Sequence, residues 1–437
     1  MNKTLECLKS RGFFQQCTDA EKLSLLMDQG PITFYEGCDP TGPSLHIGHM
    51  VPYFAMRHLL EAGHKAIVLI GGGTARIGDP SGKTTMRKML SYEQLDENAA
   101  SITSQLNRFF AALPNNAAAN ILYENNKTWL ANLNYIDFLR EIGSHFSVNR
   151  MLSFESYKMR LESDAGLSFI EFNYQLLQSY DFYQLYKKYG CRLQIGGNDQ
   201  WGNITAGADL IRRLECGLEC GLECGAENAG AVPAATVFGL TFPLVTTADG
   251  KKMGKTEQGA VFLDPDTTAP YDFFQYWRNV QDADVRRFLL MFTFLPIEEC
   301  DALAAPDKNP NEAKERLAWE VTALIHGKDE ADKALSGARA SFGGAGGDKS
   351  AMPSVQLARS KFEAGYNIVD LFFDAHLCVT KSEARRIVQQ GGACIGLRGD
   401  FTAVADIAAL VSADKLDEEG EIILRAGRKR FCRVVSV

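Results

Sequence analysis

The chain has 437 residues, of which 46% are hydrophobic and 23% charged, and its formal net charge is −8. That length accommodates two or three domains, and the negative charge excludes a global attraction to nucleic acid, although a local basic patch could still bind it. The N-terminus shows no secretory signal, and no apolar run approaches the roughly 18–20 residues of a membrane span. Eleven scattered cysteines favour reduced thiols, so we expect a cytoplasmic protein.

The N-terminal part of the chain predicts a βαβ unit. After a short helix opened by a capping box at 18–21, residues 31–39 have the pattern of a strand, 44–63 that of a helix, and 65–73 that of a buried parallel strand. A strand, a helix and a strand within about forty residues indicate a doubly wound α/β domain of the Rossmann-like type.

The remaining patterns divide the chain further. Helical patterns fill 90–190, CRLQIGG (191–197) predicts another buried strand, and a helix follows from about Trp201. A stretch rich in Gly, Ser and Ala around 340–354 is typical of a linker. The predicted fold class is therefore α/β: a Rossmann-like parallel-sheet catalytic domain with a helical insertion over 1–265, an all-helical domain over 266–340, a linker over 341–363 and a small α+β module over 364–437.

One apparent phosphate-binding motif fails on spacing. GDPSGKTT (78–85) invites a P-loop interpretation, but the position where that motif needs its first glycine is Ile77, and Gly78 is one residue too close. The loop must wrap a phosphate with consecutive backbone N–H groups, so the spacing is essential. We expect a turn followed by a helix that carries Lys83 and Arg87 on one face.

A second stretch, DPTGPSLHIGHM (39–50), is a stronger candidate for nucleotide chemistry. His46 and His49 share one face at the start of a helix that follows a strand, where backbone donors favour phosphate. Gly48 removes a side chain where a flat base could approach, and Pro52 places the pair at or before the first helical turn. Two ordinary core or surface histidines are the alternative.

The matching element lies two hundred residues later. TTADGKKMGKTEQG (246–259) is a glycine-containing loop with Lys251, Lys252 and Lys255, which alone is typical of a solvated basic loop. Paired with His46-Ile47-Gly48-His49, however, the segment Lys252-Met253-Gly254-Lys255-Thr256 resembles the joint signature of class I aminoacyl-tRNA synthetases.

Five stretches in order, YEGCDPTGPSLHIGHM, GDPSGK, YQLLQSYDF, QIGGNDQWGNITAG and KMGKT, closely resemble the bacterial-type tyrosyl-tRNA synthetases. The resemblance covers most of 1–340 and continues into the tail. This sequence has Gly254 and Thr256 where the nominal family motif has serines, but both lysines are kept.

The resemblance implies that the chain activates L-tyrosine with ATP and Mg²⁺, forming tyrosyl-adenylate and pyrophosphate, and then transfers the tyrosyl group to the 3′ end of its cognate tRNA. The attacking carboxylate needs no base, so the chemistry requires donors and cations around the phosphates. The expected catalytic residues are His46, His49, Lys252 and Lys255, with Thr41 as a further hydrogen-bond donor. Lys83 and Arg87 are expected to contact the pyrophosphate. The lysine loop is expected to close over the phosphates.

A predicted helix at 172–182 is expected to determine which amino acid binds. Tyr174, Gln178 and Asp181 follow the spacing i, i+4, i+7 and share one face, although an outward polar face has the same pattern. The resemblance assigns Asp181 and Tyr35 to the phenolic hydroxyl of the substrate, and Tyr174, Gln178 and Asp79 to its ammonium group. It assigns the ATP and adenylate site to Gly37, Asp39, Gly48, Gly197, Asp199, Gln200 and Thr256, and Asp199 could instead be a plain N-cap.

The tail predicts RNA binding. KSEARRIVQQGGACIG (381–396) resembles the S4-type RNA-binding module, and 425–437 carry five basic residues within a region, 364–437, that has ten basic and ten acidic side chains. A segregated basic edge suits phosphate contacts, and a solvated basic terminus is the alternative. The resemblance further implies a homodimer, and a tRNA anticodon contact over 266–340 through aromatics such as Tyr276 and Trp277.

A three-fold repeat, ECGLECGLECG (215–225), is the least expected feature. Cys216, Cys220 and Cys224 recur every fourth residue, but this is no standard zinc or iron–sulfur spacing, and each glycine would destabilise a helix by about 1 kcal/mol. We interpret it as a tolerated surface insertion and expect no protein-bound metal. Two other functions remain open from sequence: a P-loop NTPase and a non-catalytic RNA-binding protein.

Overall fold

A computed structural model describes residues 1–81, 89–163, 166–216, 232–233, 235–248, 250, 253–256, 259–341, 352–397, 400–427 and 430–437. The sequence predictions for Lys83, Arg87, Lys252, Cys220 and Cys224 lie outside the described residues, and for Lys255 and Thr256 only the backbone is described. The chain divides into two compact units, one made of residues 1–267 and 280–310 and the other of residues 268–279 and 311–437.

The strands in chain order are β1 (Gln16–Cys17), β2 (Thr33–Cys38), β3 (Lys65–Ile70), β4 (Ile121–Asn125), β5 (Cys191–Gly197), β6 (Phe238–Phe242), β7 (Lys255–Thr256), β8 (Gly259–Ala260), β9 (Ser354–Leu357), β10 (Tyr366–Asn367), β11 (Ala393–Leu397), β12 (Asp400–Ala403), β13 (Leu410–Val411), β14 (Glu421–Ala426) and β15 (Arg430–Ser436).

The helices in chain order are α1 (Lys3–Ser10), α2 (Ala20–Asp28), α3 (Met50–Glu61), α4 (Tyr92–Ala111), α5 (Lys127–Leu130), α6 (Tyr135–Glu141), α7 (Val148–Leu152), α8 (Glu155–Leu161), α9 (Phe169–Phe172), α10 (Tyr174–Tyr189), α11 (Trp201–Cys216), α12 (Pro270–Arg278), α13 (Val285–Phe292), α14 (Ile297–Leu303), α15 (Pro310–His326), α16 (Lys328–Ser341), α17 (Arg359–Glu363), α18 (Ile368–Asp374) and α19 (Lys381–Gln389).

The first unit is built on a six-stranded sheet of order β1-β6-β5-β2-β3-β4. Strands β6, β5, β2, β3 and β4 are parallel, and the two-residue β1 adds to the edge of β6 in the antiparallel direction. The apolar runs of β3 and β6 are buried along almost their whole length, as expected for strands covered on both faces. This parallel sheet confirms the predicted Rossmann-like α/β class.

Two of the predicted elements begin later than expected. The helix predicted over 44–63 consists of a 3₁₀ turn, Ile47–His49, and then α3, because the polar turn residues before His46 and the N–H lost at Pro52 delay the regular helix until Met50. The predicted capping box at 18–21 is replaced by Asp19 as N-cap, whose side chain accepts from the Lys22 backbone N–H at 2.9 Å.

The second unit contains α12, α15 and α16 and the C-terminal module. The module has a five-stranded sheet of order β12-β11-β14-β15-β9, antiparallel except for the parallel pair β15 and β9. Helices α18 and α19 pack against it around a shared apolar core that includes Phe362, Leu371, Phe372, Val388 and Leu424.

Two features of this unit differ from the sequence predictions. The stretch 341–363 contains β9 and α17, since the short Ser354–Leu357 segment has an unpatterned sequence and becomes a strand only by pairing with β15. Trp277 is fully buried, which corrects the expectation of an exposed aromatic at that position. The domain boundaries remain our proposal. None of the helices in the described ranges is long and apolar enough to cross a membrane.

Candidate active site

The site residues gather where the parallel strands end. The strand order reverses between β5 and β2, whose carboxyl ends therefore lie side by side. Gly37 belongs to the end of β2 and Asp39 comes directly after it, while Gly197 ends β5 and precedes a 3₁₀ turn, Asn198–Gln200. Such a switch point is the usual place for a ligand in an open α/β sheet.

The two signature histidines form one stacked pair. Their ring centroids are 3.7 Å apart with an interplanar angle of 19°. The Gly48 backbone N–H donates to His46 Nδ1 at 3.0 Å, and the His46 backbone N–H donates to His49 Nδ1 at 3.3 Å. Because each Nδ1 accepts, each neutral imidazole carries its proton on Nε2, where it is a donor.

The lysine loop runs directly beside this pair. A Cβ on Gly48 would lie 2.8 Å from His46 Cε1 and 3.5 Å from the Met253 carbonyl oxygen, so a larger residue would collide with the histidine. The Ile47 backbone N–H donates to the Val261 carbonyl at 3.0 Å. Two motifs two hundred residues apart in sequence are thus joined by backbone contacts, which places the start of β7, and with it the backbone of Lys255, beside the histidines.

Asp181 is a buried carboxyl group at the site with a raised pKa. Its side chain is 2% exposed, and it accepts from Asn126 Nδ2 at 2.8 Å and from the Trp129 indole N–H at 2.7 Å. Burial raises its pKa to about 8, against the lowering effect of these two donors. Buried groups with a perturbed pKa are common at functional sites.

Tyr35 is buried near enough to this carboxyl for its charge to act on the hydroxyl. Tyr35 is 1% exposed, and its hydroxyl oxygen has no hydrogen-bond partner among the described residues. Burial, and then the nearby charge of Asp181, raise the pKa of Tyr35 well above its ordinary value, so it stays a neutral donor. A buried hydroxyl without a partner is costly, and a ligand hydroxyl placed here would satisfy it.

A second polar cluster surrounds Gln200. Its Nε2 donates to Asp79 Oδ2 at 2.8 Å, while its Oε1 accepts from Gln178 at 3.2 Å and from Asn203 at 3.1 Å. Asn203 also donates to Gln178 Oε1 at 3.0 Å. Asp79 is buried and accepts from the Ser81 backbone N–H. The structure therefore brings Asp79 and Gln178 together through a residue that the sequence assigned to the nucleotide.

Asp39 links Tyr174 to the polar groups around Asp181. Its Oδ2 accepts from the Tyr174 hydroxyl at 2.9 Å and its Oδ1 from Thr74 at 2.7 Å, and Thr74 in turn accepts from Asn126 at 2.9 Å. Because Asn126 also donates to Asp181, one hydrogen-bonded chain runs from Tyr174 to Asp181. Three of the spaced residues of α10, Tyr174, Gln178 and Asp181, thus meet these networks.

Sequence reasoning missed four residues of these networks: Thr74, Asn126, Trp129 and Asn203. A positional signal existed for the first three, since Thr74 lies after β3 and Asn126 and Trp129 lie after β4, and polar residues after parallel strands lie at the ligand-binding edge. Of the predicted residues, Asp199 is exposed, and Thr41 is exposed with its backbone N–H donating to the Asp39 carbonyl.

Of the repeat at 215–225, only Glu215 and Cys216 are described, and neither belongs to the site residues above. Cys216, its first cysteine, is the last residue of α11. Eight other described cysteines, Cys7, Cys17, Cys38, Cys191, Cys300, Cys378, Cys394 and Cys432, are free thiols.

Comparison with known proteins agrees with this geometry. A family model described as class I tRNA synthetases (W and Y) matches residues 27–343. The chain is 60% identical over 435 residues to a tyrosine–tRNA ligase of Treponema denticola, with 100% of both chains covered. The chain belongs to the class I tRNA synthetases. A tyrosine–tRNA ligase of Treponema pallidum is 56% identical, over 100% of this chain and 99% of the relative.

Solved structures of class I tRNA synthetases share the fold. A C-terminally truncated mitochondrial tyrosyl-tRNA synthetase of Coccidioides posadasii is 34% identical, with a TM-score of 0.65 over 76% of this chain and 90% of that one. A tryptophanyl-tRNA synthetase of Encephalitozoon cuniculi has a TM-score of 0.54 over 75% of this chain and 87% of that one, at 13% identity, which is a likeness of fold alone.

Proposed function

We propose that this class I synthetase is a tyrosine–tRNA ligase, which joins L-tyrosine to ATP as tyrosyl-adenylate, releases pyrophosphate and passes the tyrosyl group to the 3′ end of its tRNA. The observation that carries the choice of amino acid is the buried pair of Tyr35 and Asp181. A substrate phenol supplies the hydrogen bonds that this pocket lacks, whereas phenylalanine would leave its polar groups unpaired.

The ammonium group of tyrosine is proposed to meet Tyr174, Gln178 and Asp79. Asp79 Oδ2 and Gln178 Nε2 both bond the side-chain amide of Gln200, so the two side chains lie in one small region. A carboxylate and two neutral acceptors suit a positively charged amine. The tyrosine carboxylate then attacks the α-phosphate of ATP, and no base is needed because it is already ionised.

MgATP is the second substrate of the proposed reaction. His46 and His49 are proposed to donate from Nε2 to the phosphates. Lys252 and Lys255 are proposed to supply positive charge there, because the neighbouring backbone at Met253 and Gly254 approaches Gly48. Charge developing on the phosphates is what these groups stabilise. The remaining proposed contacts are Thr41, Lys83 and Arg87 for the phosphates, and Gly37, Asp39, Gly48, Gly197, Asp199, Gln200 and Thr256 for the nucleotide and adenylate.

The tRNA is the proposed macromolecular partner. Arg150, Arg212 and Arg213 all contact the single carboxylate of Asp209 at 2.7–3.0 Å, which leaves an excess of two positive charges at the surface of the catalytic unit. In the C-terminal module the exposed Arg385 and Arg386 lie on α19. Both groups suit phosphate contacts, and the helices of 266–340 are proposed to contact the anticodon.

We also propose a cytoplasmic homodimer. Seven large apolar side chains within residues 135–170 are more than a third exposed, and Phe169 reaches 71%. Large exposed apolar patches mark protein–protein interaction sites. Sedimentation velocity would give twice the chain mass for a dimer, and the single-chain mass would contradict it. The exposed apolar residues are Tyr135, Ile136, Val148, Met159, Leu161, Phe169 and Ile170.

The proposed function is tested by charging tRNA with labelled tyrosine. Wild-type protein should transfer tyrosine to bacterial tRNA only when ATP is present, and ATP hydrolysis without such transfer would contradict the proposal. Lys255→Ala should lower the rate of adenylate formation by orders of magnitude, with the KM for tyrosine almost unchanged, because Lys255 acts on the transition state. Equal losses in rate and tyrosine affinity would refute that role.

A further inference from the structure

Gln16, a residue outside every signature motif, contacts the turn that follows β5. It lies in β1, whose register on β6 is fixed by the pairs Gln16 with Thr241 and Cys17 with Leu240. Two backbone hydrogen bonds flank these two pairs. The Gln15 N–H donates to the Thr241 carbonyl at 2.8 Å, and the Thr18 N–H donates to the Gly239 carbonyl at 3.0 Å. These backbone bonds hold β1 in register on β6 at Gln16.

The side chain of Gln16 reaches the turn after β5. Its Nε2 donates to Asn198 Oδ1 at 2.7 Å, and the hydroxyl of Thr241, which is fully buried, donates to the same oxygen at 3.1 Å. Two donors from two strands thus fill both lone pairs of one amide oxygen. Asn198 is the first residue of the 3₁₀ turn Asn198–Gln200, so this contact fixes where the turn begins.

The same turn presents the residues proposed to hold the adenylate. Asp199 lies so close to Gly197 that a Cβ there would come within 2.6 Å of its Oδ1. Gln200 is bound to Asp79 at 2.8 Å. A shift of the turn by a few tenths of an ångström would therefore move both Asp199 and Gln200 relative to the cleft.

We propose that Gln16 is a positioning residue for the ATP half of the site, acting through Asn198 on the turn that carries Asp199 and Gln200. The edge strand β1 then has a function besides closing the sheet, since it transmits the position of the N-terminal segment to the nucleotide site. This inference rests on the proposed tyrosine activation.

The test is steady-state ATP–pyrophosphate exchange by the full chain with tyrosine. Gln16→Ala removes one hydrogen bond of ordinary strength, so we expect the KM for ATP to rise about five-fold while the KM for tyrosine stays within about two-fold. Thr18→Ala is the matched control. The Thr18 hydroxyl accepts from the N–H of Gly239 on β6 at 3.1 Å and, within the described residues, has no hydrogen bond to the turn. The KM of the Thr18→Ala variant for ATP should therefore equal that of the wild type.

A double-mutant cycle separates positioning from loss of stability. If Gln16 acts through Asn198, adding Gln16→Ala to Asn198→Ala should raise the KM for ATP no further. Additive effects, an equal rise in both KM values, or the same effect from Thr18→Ala would each overturn the inference. Failure of the proposed function would differ, because wild-type protein would then show no tyrosine-dependent exchange at all.

Discussion

At the scale of single residues, the pocket depends on how buried polar groups are paired. Asp181 is held by one amide donor and one indole donor, and the neighbouring Tyr35 hydroxyl has no partner within the described chain. This imbalance is what a substrate hydroxyl would remove. Spacing on α10 predicted that Tyr174, Gln178 and Asp181 share a face, and it could do so because helix geometry is local.

The supports of Asp181 could not be predicted in the same way. Asn126 and Trp129 come from the start of α5, more than fifty residues earlier, and no periodicity relates them to α10. Their contact with Asp181 exists only because β4 ends at the same edge of the sheet as β2. Residue types and their order were therefore sufficient to find the carboxyl but not the groups that orient it.

Trp129→Phe should weaken tyrosine binding selectively. The change removes one donor to a buried carboxyl, and we expect the KM for tyrosine to rise by about ten-fold, with the KM for ATP nearly unchanged. Steady-state pyrophosphate exchange measures both. The control is Trp319→Phe, which removes an indole-to-carboxylate bond of the same 2.7 Å length, to Asp332, at an exposed site. Equal effects of the two variants would contradict the role of Trp129.

Glu36 gives the fold a dependence on pH. It lies buried on β2 against Tyr53, and burial raises its pKa from 4.5 to about 7. The folded protein therefore holds this proton more tightly than the unfolded chain. As a result the free energy of unfolding falls as the pH rises from about 4.5 to about 7, and it stays lower above that range.

Glu36→Gln should remove this penalty, because a neutral amide replaces the carboxylate. At pH 8 we expect the variant to melt several degrees higher than the wild type, and near pH 4.5 the two should melt at the same temperature. Differential scanning calorimetry across this range measures it. The exposed Glu97→Gln controls for the lost charge. A lower Tm for Glu36→Gln at pH 8 would show that the charged form is stabilised in the fold.

At the scale of elements, apolar runs in the sequence predicted strands correctly where the strand is buried along almost its whole length. CRLQIGG forms β5 with the predicted bounds, since an apolar run closed by glycines has one stable place in a parallel sheet. Strands β1 and β9 were not predicted, because two to four residues at a sheet edge carry no pattern of their own. They form only because β6 and β15 offer free edges.

The close approach of the two signature motifs is also an element-scale property. Gly254 has φ +84°, and a Cβ there would lie 3.1 Å from the Gly48 backbone nitrogen. Gly254→Ala should therefore push the lysine loop away from the histidines, and we expect the maximal exchange rate to fall by about ten-fold or more, as misplaced catalytic groups do, with tyrosine affinity retained.

Gly250→Ala is the matched control for backbone strain. Gly250 has a similar φ of +79°, but a Cβ there would meet no atom within 4 Å in the described part of the chain. Its variant should carry the strain of a left-handed alanine without displacing the motif. If both variants lower the exchange rate equally, strain in the loop rather than its approach to Gly48 controls activity.

At the scale of the whole molecule, adenylate formation and RNA binding are expected to separate. The proposed tyrosine and nucleotide contacts belong to the first unit, whereas α19 with its exposed Arg385 and Arg386 belongs to the second. Catalytic chemistry was readable from sequence because two short motifs carry it. The division into units could not be predicted from sequence, because α12 belongs to the second unit while residues 280–310, which follow it, belong to the first.

Reversing charge on α19 should affect the RNA step alone. The double variant Arg385→Glu with Arg386→Glu should raise the KM for tRNA by about ten-fold or more and leave pyrophosphate exchange unchanged, because phosphate contacts are lost. The exposed Arg359→Glu, on α17 of the same module, is the control for charge alone. Unchanged charging by the double variant would show that this face of the module does not meet RNA.

The central claim is most directly tested by ATP–pyrophosphate exchange with each of the twenty amino acids in turn. The structure and its relatives predict exchange with tyrosine, and none above background with phenylalanine or tryptophan, because only a phenol satisfies Tyr35 and Asp181 together. Exchange supported by tryptophan, or exchange equally fast with phenylalanine, would contradict the claim that this pair of buried groups selects the substrate.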